Sequence, residues 1–217
     1  MSAINNTQPP HRRRFSPLVL AAGVGSVVAL SLSMTGTLSG FTASIANSVN
    51  TAASGTLVMQ EQNAAGTVTC LSTDGGSVST NAATCATINK YGGSTTLVPG
   101  TPVPTSITIK NVGTVPASTF SLTPGTCTQT NNGTPNGSAL DFCTKLAVVI
   151  KSGATSVFSG TATSLATGGA ITLPAGIAPV APGASVPFTF TVTLDAAAGN
   201  PYQGLAASQP LTWAFAS

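Results

Sequence analysis

The chain has 217 residues, of which 42% are hydrophobic and only 5% charged, with 23 glycines and 15 prolines. A disordered polymer combines low hydrophobicity with high net charge, so this hydrophobic content and a positive mean hydropathy exclude one and fit a Thr-rich all-β domain instead. The formal charge of +3 comes from Arg12, Arg13 and Arg14, because the remainder sets Lys90, Lys110, Lys145 and Lys151 against Glu61, Asp74, Asp141 and Asp195, which leaves no basic stripe for nucleic acid.

The arginine cluster precedes an apolar run from Pro17 to Leu32 and then the small residues Gly36-Thr37-Leu38-Ser39-Gly40. A positive start, a mid-length apolar core and a small-residue exit are the layout of an export signal. The run carries Gly23, Gly25, Ser26 and Ser31, and it falls short of the roughly twenty apolar residues of a membrane-spanning helix. The expectation is a signal peptide over 1–40, removed by a signal peptidase, with membrane contact only through the uncleaved leader. Cleavage falls between Gly40 and Phe41, or after Ser44-Ile45-Ala46 and before Asn47.

Residues 41–54 form an extension in which Phe41, Ala43 and Ile45 alternate as in a strand. At a new terminus such a stretch is loose unless tied down. It can pair with the sheet edge of another subunit, or serve as the first strand of its own sheet.

From Gly55 to Ser217 the chain reads as a single domain. Thr56–Gln60 is predicted as a strand with Leu57 and Met59 on one face, and Val68–Ser72 as another, followed by an Asp74-Gly75-Gly76 turn. The region to Thr96 is loop-rich. Ser106–Asn111 is an alternating strand with Ile107 and Ile109 inward, turning at Asn111–Thr114, and Thr119–Leu122 continues the sheet with Phe120 and Leu122 buried. Residues 124–142 read as a loop insertion, with Asn132-Gly133-Thr134 and Asn136-Gly137-Ser138 as turn residues. Lys145–Lys151 places Leu146, Val148 and Ile150 on one face, with shorter strands at Val157-Phe158 and Ala170–Leu173. The best strand is Val186–Leu194, where Val186, Phe188, Phe190, Val192 and Leu194 alternate with Pro187 and three threonines, the pattern of a sheet with one wet face. Leu211–Phe215 closes the chain and buries Leu211, Trp213 and Phe215. The only helical signal is a short turn at Asp195–Gly199. Many short strands separated by turns predict an antiparallel β-sandwich or jelly roll with long Thr/Gly/Asn-rich loops.

Cys70, Cys85, Cys127 and Cys143 are an even set in a chain expected to be exported, so two disulfides are predicted. Of the three pairings, Cys70–Cys85 and Cys127–Cys143 are favoured because each closes a Gly/Thr/Asn-rich segment, worth roughly 3 kcal/mol in the chain-entropy model. No Cys-x-x-Cys occurs and the single histidine, His11, lies in the leader, so no zinc site or other cofactor is expected. The same lack of histidine argues against a His-Glu-x-x-His peptidase and against Ser-His-Asp or Cys-His catalysis. Asp74, Asp141 and Asp195 read as turn, loop and strand-end residues. The chain is therefore expected not to be an enzyme. Tyr91, Tyr202 and the 124–142 loop are the candidate ligand surface of a monomeric binding module, although Tyr202 reads first as packing for the turn before the last strand.

Three blocks in order carry a family resemblance. They are Gly36-Thr37…Phe41 with Gly55-Thr56-Leu57 opening the first strand, then Ile107-Thr108-Ile109-Lys110-Asn111-Val112-Gly113, then Asn200-Pro201-Tyr202-Gln203-Gly204 leading to Thr212-Trp213. Together they resemble the TasA/camelysin family of secreted Gram-positive proteins with an alternate-type signal peptide. The resemblance covers most of the chain outside 61–96 and 124–142, and the cysteines fall in or beside those two segments. It implies an extracellular jelly-roll subunit whose partner is itself, polymerised into biofilm-matrix fibres, with Phe41, Ala43 and Ile45 as candidate donor-strand contacts.

Overall fold

Ser185–Leu194 (β9) occupies the middle of the main sheet because its pattern suits burial on one side. Phe188, Phe190, Val192 and Leu194 are buried, and the threonines between them are partly exposed. It pairs antiparallel with Pro102–Asn111 (β3) on one flank and Leu146–Ser152 (β6) on the other. Register places Ile107 opposite Phe188 and Ile150 opposite Phe190, so the inward residues of all three strands share one face. Met59–Asn63 (β1) and Thr69–Leu71 (β2) extend the sheet beyond β3, and Thr155–Thr161 (β7) extends it beyond β6, giving the order β2-β1-β3-β9-β6-β7.

A second sheet, ordered β11-β4-β8, comprises Leu211–Ala216, Thr119–Pro124 and Ile171–Thr172. The Phe120 ring of β4 meets the Phe188 ring of β9 edge-on at 5.7 Å. The two sheets therefore face each other across one apolar core, and the fold is an all-β antiparallel sandwich. The computed structural model describes residues 51–76 and 80–217, and those from Ala53 onward make one compact unit. Gly40, Phe41, Ala43 and Ile45 lie outside the described residues, as do Arg12–Arg14 and His11.

Several local expectations are corrected. The first strand starts at Met59 rather than Thr56 and runs on to Asn63, because Thr56 and Val58 spend their carbonyls on Thr114, Val115 and Val112 outside the ladder. The supposed loop at 124–142 contains a strand, Thr128–Asn131 (β5), paired with Leu205–Ser208 (β10). Polar alternation in Thr-Gln-Thr-Asn carries no burial signal, so this ribbon was invisible in the sequence. The expected turn at Asp195–Gly199 is present, closed by Ala198 N to Asp195 O (2.9 Å), but it is not helical, and a 3-10 turn follows it at Asn200–Tyr202. Two further short helical segments, Phe142–Lys145 and Ala162–Thr167, were not foreseen. The second has a reciprocal cap: Thr161 Oγ1 accepts from Ser164 N, and Ser164 Oγ accepts from Thr161 N.

The disulfides are Cys70–Cys85 and Cys127–Cys143. The first joins β2 to the segment 85–99, and the second joins the start of β5 to the helical segment at Phe142. Two closed disulfides suit an oxidising compartment.

Candidate functional site

Three features stand out: a clasp at Asn111, the outer edge of β11, and a cleft at the far end of β9 from that clasp. The first is the junction at Asn111. This side chain is fully buried, and a buried amide needs all its partners. It has them: Nδ2 donates to Val115 O (2.9 Å) and Val180 O (3.0 Å), and Oδ1 accepts from Gly113 N (3.0 Å). Gly113 lies where the incoming chain crosses. A β-carbon there would overlap Thr56 O and Val58 N, so only glycine lets residues 56–58 lie against 112–115. Val112 N to Val58 O (2.9 Å) and Thr114 N to Thr56 O (2.7 Å) fasten that crossing. The Asn-x-Gly turn of the sequence is thus the clasp that fixes the start of the domain.

The second feature is the outer edge of β11. Among the described residues β11 pairs only with β4. Pro210 O accepts from Gly125 N (2.7 Å) and Ala216 O accepts from Ser118 Oγ (3.3 Å), both on the β4 side. Backbone polar groups alternate along a strand, so the N–H and C=O of Leu211, Trp213 and Phe215 point to the open side. Their side chains lie under that edge. The sequence predicts Leu211, Trp213 and Phe215 as buried, yet all three are only half-buried, because an edge strand lacks a neighbour to cover one flank. Trp213 packs on Phe188 (4.7 Å between centroids), Phe120 (5.4 Å) and Phe190 (6.2 Å). Its indole Nε1 is shielded from solvent and has no hydrogen-bond partner among the described residues.

The third is a cleft of about 1090 Å³. Segment 85–99 makes one wall, the Asn200–Gly204 turn with β10 makes the other, and Phe142, Leu146 and Leu194 lie at its base. Tyr91, Tyr202 and Asn132 all line it, so the tyrosines and the 124–142 loop singled out in the sequence do meet. Tyr91 OH donates to Gln209 Oε1, and Gln209 Nε2 donates to Gly125 O (2.9 Å) and Ala162 O (3.1 Å). That relay ties segment 85–99 to the entrance of β11. Tyr202 OH donates to Asp141 Oδ1 (2.8 Å), and Lys145 Nζ pairs with Asp195 Oδ2 at 3.3 Å. Asp195 also accepts from Ala197 N; this bond and the Lys145 ammonium hold its carboxyl below the usual range. Asp74, as expected of a turn residue, accepts from Leu71 N (2.7 Å).

Beneath segment 85–99 lies an ion pair that the sequence did not disclose. Glu61 stands opposite Ile109 across β1 and β3, so it faces the core, and Lys90 Nζ meets its Oε1 at 2.6 Å with both side chains 10% exposed. Met59-x-Glu61-x-Asn63 places Glu61 on the inward face once the strand register is known, but nothing local indicates a partner so distant in sequence. Removing one member of a buried pair strands the other charge. Lys90→Met is expected to cost about 3 kcal/mol in chemical denaturation, and Lys90→Met with Glu61→Leu to recover most of that loss. A double variant no better than the single one would show that the pair does not hold segment 85–99.

Burial pushes the Tyr91 phenol far above its ordinary value, while the Asp141 carboxylate, followed by burial, raises Tyr202. A group whose folded pKa is raised contributes stability that is complete below its unfolded pKa and is lost as pH rises through the folded one. These are the only tyrosines of the chain. Alkaline ultraviolet titration is therefore expected to show both phenols ionising above pH 10, the ordinary value, and Tyr91 only together with unfolding. Reversible ionisation of both tyrosines at pH 10 in the still-folded protein would refute both placements, and of one alone would refute that one.

Among the described residues no three His, Cys, Asp or Glu side chains gather as a metal site, and no helix is long and apolar enough to cross a membrane. No protein-family model matches the chain, and no curated protein sequence matches it. Fold and site together define a two-disulfide all-β sandwich with an aromatic edge strand unpaired on one side among the described residues and a loop-walled cleft.

Proposed function

We propose that this protein is a secreted, non-enzymatic structural subunit that polymerises into extracellular or biofilm-matrix fibres by lending its N-terminal strand to the next subunit, as the TasA/camelysin resemblance implies. The observation that carries the reading is the edge of β11. The outward-facing N–H and C=O groups of the alternate residues Leu211, Trp213 and Phe215, their half-buried apolar side chains and an indole N–H with no partner among the described residues await a further strand. Residues 41–54, with Phe41, Ala43 and Ile45 alternating, are the donor on this reading. A surface with almost no net charge beyond the leader offers little electrostatic resistance to self-association. The jelly-roll architecture, the extracellular destination and the role of a signal peptidase belong to the same proposal, which includes neither nucleic acid nor a cofactor.

The deciding experiment is electron microscopy of protein beginning at Phe41 beside protein beginning at Gly55. Filaments from the first and monomers from the second are expected. Monomers from both would refute unaided assembly through residues 41–54. The alternative, a monomeric surface adhesin or binding module, rests on the cleft between Tyr91 and Tyr202, and a single monomeric peak for the longer form on a sizing column would favour it.

A further inference from the structure

The sequence contains two Asn-Gly steps, Asn132-Gly133 and Asn136-Gly137, each followed by a hydroxyl residue. Such steps convert spontaneously when the glycine nitrogen attacks the asparagine side chain. The Gly N–Cγ bond forms, the Cγ–Nδ2 bond breaks, the amide proton leaves with Nδ2 as ammonia, and water opens the resulting succinimide to aspartate or isoaspartate. The reaction consumes water and needs no oxidant. Glycine permits it because no β-carbon obstructs the attacking nitrogen. In an unfolded chain the two steps are chemically equivalent.

The fold separates them. Asn132, Gly133 and Thr134 are exposed, and Gly133 N–H has no hydrogen-bond partner among the described residues. Gly137 is held: its N–H donates to Gln203 O at 2.6 Å, and a β-carbon on it would overlap Pro201 O. Asn136 is itself half-buried, with Oδ1 enclosed without a partner among the described residues and Nδ2 donating to Gly133 O. Attack at Asn136 therefore requires breaking the bond of the attacking Gly137 nitrogen and lifting the loop from the Asn200–Gly204 turn, whereas at Asn132 the attacking Gly133 nitrogen has no bond to break and the backbone bond of Asn132 N to Gly204 O (2.7 Å) can stay in place.

We propose that Asn132 is a site of spontaneous, fold-selected deamidation, and that Asn136 is protected by its packing. The departing nitrogen at Asn132 is the one that donates to Thr95 O (2.9 Å). That bond links the 124–142 loop to segment 85–99, the wall of the cleft. Its replacement by a carboxylate turns a donor toward a carbonyl into a second acceptor, so the link is lost, and the near-neutral surface gains one negative charge. The modification is thus a slow, irreversible loosening of one cleft wall.

The test is to incubate the purified native protein in mildly alkaline buffer and follow both positions by peptide mass spectrometry with fragmentation. A sample with reduced disulfides in denaturant runs in parallel. In the native protein Asn132 is expected to convert about ten-fold faster than Asn136, the factor that corresponds to one hydrogen bond broken before attack. In the denatured sample the two rates should converge. An acidic shift on isoelectric focusing should follow conversion at Asn132 and be absent in Asn132→Gln. Equal native rates, or faster conversion at Asn136, would overturn the proposal. So would a rate difference that persists after unfolding, since the fold would then not be its cause.

Discussion

Asn111→Ala is expected to lower the unfolding free energy by about 3 kcal/mol, because it orphans the buried Gly113 N–H and leaves the part-buried Val115 carbonyl without its donor. Val180 O keeps its second donor, Ala117 N at 2.9 Å, so its loss counts for less. Equilibrium denaturation in urea, followed by Trp213 fluorescence, measures the effect. A loss below about 1 kcal/mol would mean that the backbone around 111–115 holds itself without the amide. Gly113→Ala is a separate probe of the same clasp. It leaves Asn111 in place but displaces residues 56–58, so it should loosen the domain start and raise proteolysis there while the core strands remain protected.

Phe120→Ala should cost about 3–5 kcal/mol, the range for emptying a large buried aromatic site. Phe120 is fully buried and is the ring on which the sheets meet: it contacts Phe188 across the sandwich, and Trp213 (5.4 Å) and Phe215 (4.7 Å) along its own sheet. Thermal unfolding by circular dichroism gives the size of the loss. Because two of its neighbours are the inward residues of β11, the cavity also withdraws support from the open edge. If fibres form through that edge, Phe120→Ala should reduce filament yield at temperatures where the monomer is still folded. Unchanged filaments from a destabilised monomer would move the contact to another edge, for which β7 is the remaining long candidate.

Part of the architecture was legible residue by residue. Val186–Leu194, Leu146–Ile150, Ser106–Asn111 and Thr119–Leu122 announce their buried faces by strict alternation, and Phe188, Phe190, Leu146, Val148, Ile150, Ile107, Ile109, Phe120 and Leu122 are all buried. Alternation is a local consequence of the pleat, so one strand suffices to show it. The turn at Asn111–Gly113 could likewise be read, but not that its amide sits in the core with three partners.

The candidate site was far less legible. Each of its parts depends on what lies across from a residue rather than beside it. Glu61 looks like a surface carboxylate until β1 is registered on β3. Thr128–Asn131 looks like a loop until Leu205–Ser208 pairs with it. Asn132 and Asn136 look alike until Gln203 takes the Gly137 amide. Trp213 looks like ordinary core until β11 proves to be an edge.

The sequence by itself determined the all-β class, the inward faces of the long strands and the near-neutral balance of charge beyond Arg14, because periodicity and composition are properties of neighbouring residues. Only the tertiary structure decided which strand lies at an edge, which amide nitrogen is held and where the buried lysine finds its carboxylate. Those outcomes rest on contacts between residues tens of positions apart, and they form only when the sheets close on each other.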